Sequence, residues 1–326
     1  MSELSLVQAV NAALKRAMSD DASVLVLGED VGIDGGVFRA TEGLFKQFGA
    51  ARVLDTPLAE ASIAGVSIGL AAQGFRPVAE IQFTGFAYAC IDQIINHASR
   101  LRDRTRGRLT CPMVLRSPAG GGIKAVEHHS ESPEAIFAHI PGIKVVMPSS
   151  PARAYGLLLS AIRDPDPVVF LEPTRLYRAA RGEIADDGAG LPLGQCITLR
   201  PGRDVTIVSW GAMLKETLEA ADQLAADNID AEVIDVATLK PLDTATILDS
   251  VGRTGRLVVV HEAPMTCGFG AEIVARVAGR AITSLLAPVE RVTGYDTMMP
   301  YLRTEAYYMP STAAVAAAAR RTMAYT

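Results

Sequence analysis

Two kinds of hydrophobic pattern alternate along the chain. Short apolar runs bounded by glycine, proline or acidic residues predict buried strands, and longer stretches of mixed polarity predict helices. In the first half, strands are expected at 24–27, 78–83, 113–116, 144–147 and 168–171. Helices are expected at 59–74, 88–102 and 152–163, the last opened by Ser150 as N-cap and Pro151 at the first helical position. In the second half, strands at 204–209, 231–236, 256–260 and 289–292 alternate with helices at 213–226, 243–251, 271–277 and 312–323. Such alternation predicts parallel sheets wrapped by helices, an α/β fold. Periodicity fades from 174 to 203, a stretch with Gly182, Asp186-Asp187-Gly188 and Pro192. We therefore place domains at 1–180 and 204–326, joined by a surface linker at 181–203. Gly65 and Gly69, four apart on a small-residue helix, predict a close helix–helix contact.

Composition narrows the class. The chain has 326 residues, 49% hydrophobic and 21% charged, as expected of a globular protein with a large core. Its net charge of -5 does not suggest a nucleic-acid surface. The basic cluster Arg100, Arg102, Arg104, Arg106 and Arg108 has no interleaved aromatic residue and reads as a solvated or interface helix end. The four cysteines form no metal-binding spacing and read as reduced thiols. The N-terminus has no leader-like apolar core, and no apolar stretch approaches the roughly 18 residues of a membrane span. A cytoplasmic protein without membrane or nucleic-acid partners is expected.

Few residues suggest chemistry on their own. Glu60, after Asp55-Thr56-Pro57-Leu58-Ala59, could be a first-turn carboxylate favoured by the helix dipole. Burial among Leu58, Ala59, Ala61 and Ile63 would instead suit it to proton exchange. His128 and His129 follow the Gly120-Gly121-Gly122 run, and a neutral imidazole suits proton transfer near neutral pH. Adjacent side chains diverge and no third ligand is evident, so a metal site there is disfavoured. The glycine-rich pieces lack the dinucleotide and P-loop fingerprints, which argues against a nicotinamide-dependent oxidoreductase. They read as loops open to a partner or a swinging arm.

Several pieces occur in a fixed order. They are Gly28-Glu29-Asp30-Val31-Gly32, Asp55-Thr56-Pro57-Leu58-Ala59-Glu60, Ala79-Glu80-Ile81-Gln82-Phe83 and Asp92-Gln93-Ile94. Next come His129-Ser130-Glu131-Ser132-Pro133-Glu134-Ala135, Pro141-Gly142-Ile143-Lys144-Val145-Val146 and Leu176-Tyr177-Arg178. Leu239-Lys240-Pro241-Leu242-Asp243, Thr254-Gly255-Arg256 and Ala287-Pro288-Val289 complete the set. The set resembles the β subunit of the thiamine-diphosphate-dependent 2-oxo acid dehydrogenases, the decarboxylase component of the pyruvate and branched-chain complexes. The resemblance covers nearly the whole chain.

The resemblance implies a transketolase-like fold, with a pyrimidine-binding domain followed by a smaller C-terminal α/β domain. It implies thiamine diphosphate as cofactor, with Glu60 activating the pyrimidine ring and Phe86 packing on it. Glu29, Leu58 and Gln82 match residues lining the same pocket. His129 matches a histidine that helps transfer the acyl group to a lipoyl arm, and His128 is a loop residue. Two β chains pair with two α chains in the family. The Gly-Asp-Gly…Asn-Asn pattern for magnesium and diphosphate is absent here, which implies that the α subunit holds them. The C-terminal domain would dock to a dihydrolipoyl acyltransferase core. The turn Asp164-Pro165-Asp166-Pro167 matches a potassium site of some relatives, with Asp164 the candidate ligand and Ala161 a departure from their pattern. Among substrates pyruvate is favoured slightly over branched-chain 2-oxo acids. An acetoin dehydrogenase β subunit is the alternative, since it shares nearly every piece.

Overall fold

The computed structural model describes residues 2–325. Its first sheet has seven strands in the spatial order Thr238–Lys240, Lys144–Val146, Val168–Pro173, Val114–Ala119, Arg76–Glu80, Val24–Gly28 and Val53–Asp55. All are parallel except Thr238–Lys240, which runs against Lys144–Val146. Strands covered on both faces read as continuous apolar runs, and alternate residues then serve opposite cores. Val24 and Val26 pack with the helices Leu6–Asp20 and Pro151–Arg163, while Leu25 and Leu27 face the helix Glu60–Ala72. Beneath the strand ends, buried Arg116 forks onto Glu172, with both contacts at 2.7 Å, and also reaches Glu80. Burial of these charges is tolerable only because each is paired.

The second sheet has the order Glu290–Gly294, Leu257–Pro264, Val205–Ser209, Ala231–Asp235 and Ile197–Arg200, with only the last strand antiparallel. The helices Leu214–Ala226 and Thr312–Ala324 cover one face. The other face, with Val208, Trp210, Ile234 and Phe269, shares one core with Phe137, Ile140 and Met147 of the first domain. The two domains therefore meet across an apolar seam.

Two expectations are corrected, and one element is new. The stretch 181–203 is not a bare linker. Arg181–Ile184 pairs with Ser2–Ser5, and Ile197–Arg200 edges the second sheet. The segment expected as one helix at 88–102 is broken into the short pieces Phe86–Cys90, Ile91–Asn96, Ala98–Arg100 and Leu101–Arg104. The break at His97 frees carbonyl groups, and arginines satisfy them: Arg100 donates to Ile95 O at 2.9 Å and Arg104 to Asn96 O at 2.7 Å. Part of the basic cluster thus caps a broken helix. Finally, the helix Leu6–Asp20 has no counterpart among the expected elements. Its capping box joins Ser5 and Gln8, and its apolar stripe runs through Leu6, Val10, Leu14 and Met18. Among the described residues no helix is long and apolar enough to cross a membrane.

Candidate active site

Ligands of parallel sheets gather at the carboxyl ends of the strands. Here Val24–Gly28 delivers Glu29, Val53–Asp55 delivers the run to Glu60, and Arg76–Glu80 delivers Gln82 and Phe86. Neighbouring loops are tied together, Thr56 N donating to Gly28 O at 2.9 Å. Asp55 accepts from Gly32 N at 2.6 Å. Gln82 Nε2 donates to Asp30 Oδ2 at 3.1 Å.

Glu60 is the first residue of its helix, and the Cys90 thiol donates to its carbonyl at 3.2 Å. It is half-exposed rather than buried: Ile63 is buried, but Ala61 is exposed and Leu58 is 81% exposed. Its neighbour Glu29 is 3% exposed, and its carboxyl is pushed up to about 7, first by burial and then by the charges of Glu60, Asp30 and Glu80. Glu29 Oε1 and Thr56 Oγ1 are buried without a hydrogen-bond partner. Thr56 was not singled out in the sequence, although it lies within the Asp55 to Glu60 run.

His129 stands beside Phe83 and Phe86. Its ring lies 4.2 Å from that of Phe83 and 5.4 Å from that of Phe86, centroid to centroid. Nδ1 is 2.7 Å from Glu127 O, which can only accept, so the proton sits on Nδ1 and a neutral ring leaves Nε2 as a base. His128 is exposed with φ 65°, and its carbonyl passes so close to Gly85 that a Cβ there would lie 2.2 Å from the oxygen. Glu29, Gln82 and His129 on loops, with Glu60 and Phe86 each opening a helical segment, thus all stand at this end of the sheet. Leu58 is there too, but faces outward.

Two expectations fail. Asp164 is not an open cation ligand. Lys144 Nζ lies 2.6 and 2.7 Å from its two carboxylate oxygens, and Arg76 donates to its carbonyl at 3.3 Å. An internal ammonium already occupies the position, so these residues do not fit a bound potassium ion. Nor are Gly120 and Gly121 open to a visitor, both being buried, although Gly122 is exposed. They pack against the C-terminal domain, where Gly121 N donates to Glu262 at 3.0 Å and Gly122 N to Glu305 at 2.6 Å. Glu262 and Glu305 were missed because nothing local marks them.

Around this seam lie further buried groups. Glu134 accepts from Trp210 Nε1 at 3.3 Å and is pushed up to about 8, chiefly by burial. Burial also drives Glu262 up to about 7 and His261 down to about 4. Among the described residues no three His, Cys, Asp or Glu side chains converge as metal ligands.

Comparison with known proteins agrees with this architecture. Residues 2–180 match the transketolase pyrimidine binding domain, and 194–315 match the transketolase C-terminal domain. The pyruvate dehydrogenase E1 component subunit beta of Bacillus subtilis (strain 168) is 49% identical over 325 residues, covering 100% of both chains. The subunit of the same name from Acholeplasma laidlawii is 46% identical over 321 residues, covering 98% of each. A solved split gene transketolase, an inactive beta4 tetramer, superposes with a TM-score of 0.82 at 24% identity, covering 99% of each chain, and supports the fold. The chain belongs to the transketolase-like β subunits of the 2-oxo acid dehydrogenase decarboxylase component.

Proposed function

We propose that this chain is the β half of a heterotetramer of two α and two β subunits that oxidatively decarboxylates a 2-oxo acid, pyruvate in preference. The acyl group passes to the lipoyl-lysine of a dihydrolipoyl acyltransferase, with the C-terminal domain as the docking face for that core. The observation that carries the reading is the pairing of Glu60 with buried, unpartnered acceptors at Glu29 and Thr56, beside the aromatic face of Phe86.

Those residues fit thiamine diphosphate. A flat nitrogen heterocycle would find here a carboxyl for its edge, an aromatic ring for its face and polar atoms that have no other partner. Glu60 would hold the ring nitrogen, Phe86 the ring face, and Leu58, Gln82 and Glu29 the pocket around it. When bound, the cofactor supplies the electron sink that makes loss of carbon dioxide from a 2-oxo acid possible. Glu60 exchanges a proton at its carboxyl oxygen. Glu29, raised towards neutrality, keeps a second proton close to it. His129 Nε2 accepts or returns a proton during acyl transfer, and the carbonyl of Glu127 keeps the ring in that tautomer. Magnesium and the diphosphate are assigned to the α subunit.

Exposed apolar groups flank the site: Leu58, Ile33 at 81% and Val66 on the Glu60 helix. Within the chain Gly69 has no neighbour a Cβ would meet within 4 Å. A Cβ at Gly65, on the same face, would already meet Gln93 at 3.4 Å, so only the Gly69 end of this face is left for another subunit.

The test is binding of thiamine diphosphate and magnesium by the chain alone and after co-expression with its α partner. Tight binding only in the complex, followed by turnover of pyruvate, supports the proposal. Tight binding by the lone chain refutes the divided site. Preference for branched-chain 2-oxo acids or for acetoin would reassign the substrate.

A further inference from the structure

The loop from Gly120 to Ser130, which carries His129, is held from two sides. Its base is closed within the first domain. Gly120 N donates to Glu131 O at 2.8 Å, and Thr84 Oγ1 donates to the same carbonyl at 3.0 Å. Its outer part is held by the other domain. Glu305 accepts from Gly122 N at 2.6 Å and from Lys124 N at 2.8 Å, one bond per carboxylate oxygen. Glu262 accepts from Gly121 N at 3.0 Å. Further along, Tyr301 Oη donates to Glu127 Oε2 at 3.2 Å, and Glu127 is the residue whose carbonyl orients the His129 ring.

Both carboxylates are buried, yet their side-chain hydrogen bonds are spent on backbone amides of this one loop. The loop also includes left-handed residues that no regular structure supports, Lys124 at φ 55° and His128 at φ 65°. A Cβ at Gly120 would lie 2.3 Å from Glu262 Oε1, so glycine is what lets the carboxylate approach.

We propose that Glu262 and Glu305 are positioning residues: from the C-terminal domain they clamp the glycine-rich loop and so set where His129 stands for acyl transfer. This rests on the role given to His129 above. The C-terminal domain thereby takes part in the reaction without touching the reactants.

The test uses Glu305→Gln in the assembled complex. A glutamine offers one acceptor and one N–H group, so it leaves either the Gly122 or the Lys124 amide facing a donor. Amide hydrogen exchange across 120–129 should quicken by about tenfold, the effect of losing one charge-assisted bond. Turnover for lipoyl acylation should fall about tenfold with KM for the lipoyl domain unchanged, while decarboxylation coupled to an artificial dye oxidant stays within about twofold. Glu305→Asp keeps two acceptors on a shorter arm and should recover part of the loss.

Unchanged exchange would overturn the clamp. Faster exchange with normal acylation, or equal loss in both assays, would overturn the positioning role. Should the wild-type complex fail to acylate lipoyl groups, the functional reading fails, and the exchange comparison still decides the clamp. If Glu305→Gln does not assemble, Glu305→Asp, with its carboxylate drawn back from the amides of Gly122 and Lys124, should quicken exchange at 122–124 with the same selective loss; no change there would refute the proposal.

Discussion

Replacing Glu134 by glutamine should abolish one pH-dependent component of stability. Glu134 is 1% exposed at the seam between the domains, with Oε1 on Trp210 Nε1 and Oε2 without a partner. Burial, helped by the charge of Glu262, lifts its carboxyl from an ordinary 4.5 to about 8. The folded chain therefore holds this proton after the unfolded chain has lost it. The stability it contributes is complete below about pH 4.5 and drains as pH rises through about 8. Those two values imply a loss of about 3 kcal/mol between roughly pH 5 and pH 7.5 from this group alone. Glutamine has the shape of the neutral acid, keeps an acceptor for Trp210 and cannot ionise. Glu134→Gln should match wild type near pH 5 and melt roughly 5 °C higher near pH 7.5, given the entropy of unfolding of a chain of this size. Calorimetry of both proteins across that range is the assay. Glu262 titrates in both proteins and its coupling to Glu134 is the smaller effect, so the difference between the proteins is the quantity that matters. Melting curves that stay parallel at every pH would refute the reasoning.

Glu60→Gln should leave assembly intact and slow proton exchange at the thiazolium carbon of bound thiamine diphosphate by about a hundredfold or more; exchange at the wild-type rate, followed by NMR, would remove Glu60 from its role. His129→Ala should depress lipoyl acylation about a hundredfold while dye-coupled decarboxylation stays close to wild type, and equal losses would place the residue in an earlier step. Because Lys144 already fills the position beside Asp164, the melting temperature should be the same in potassium and in choline salts. A rise specific to potassium would show that the ion does bind.

What could be read from the sequence follows from where each signal resides. Val24 to Leu27 and Val168 to Leu171 announce themselves because a strand covered on both sides must be apolar at every position. Glu60, Phe86 and His129 emerge only as members of an ordered set, since each alone has an ordinary structural reading. The break at His97 was not legible, because it depends on Arg100 and Arg104 turning back to cap freed carbonyls. Glu262 and Glu305 escaped for the same reason at longer range: their partners Gly121 and Gly122 lie 141 and 183 residues away in sequence. The helix Leu6–Asp20 differs, since its capping box and apolar stripe stand in the sequence itself.

The burial expected of Glu60 failed in a way that says something about assembly. A buried acceptor without a partner costs about 1–3 kcal/mol, and the site has two, Glu29 Oε1 and Thr56 Oγ1, beside a leucine left 81% exposed. A fold that could relax would turn these groups towards water or pair them. Here parallel strands fix the backbone on either side, and the amide of Thr56 is bound to Gly28. The lone chain therefore carries unsatisfied polar atoms and uncovered apolar surface at one place. A ligand that satisfies the first and a subunit that covers the second would each make the other's binding more favourable. That coupling predicts cofactor affinity and subunit association rising together, as expected of a site divided between two chains.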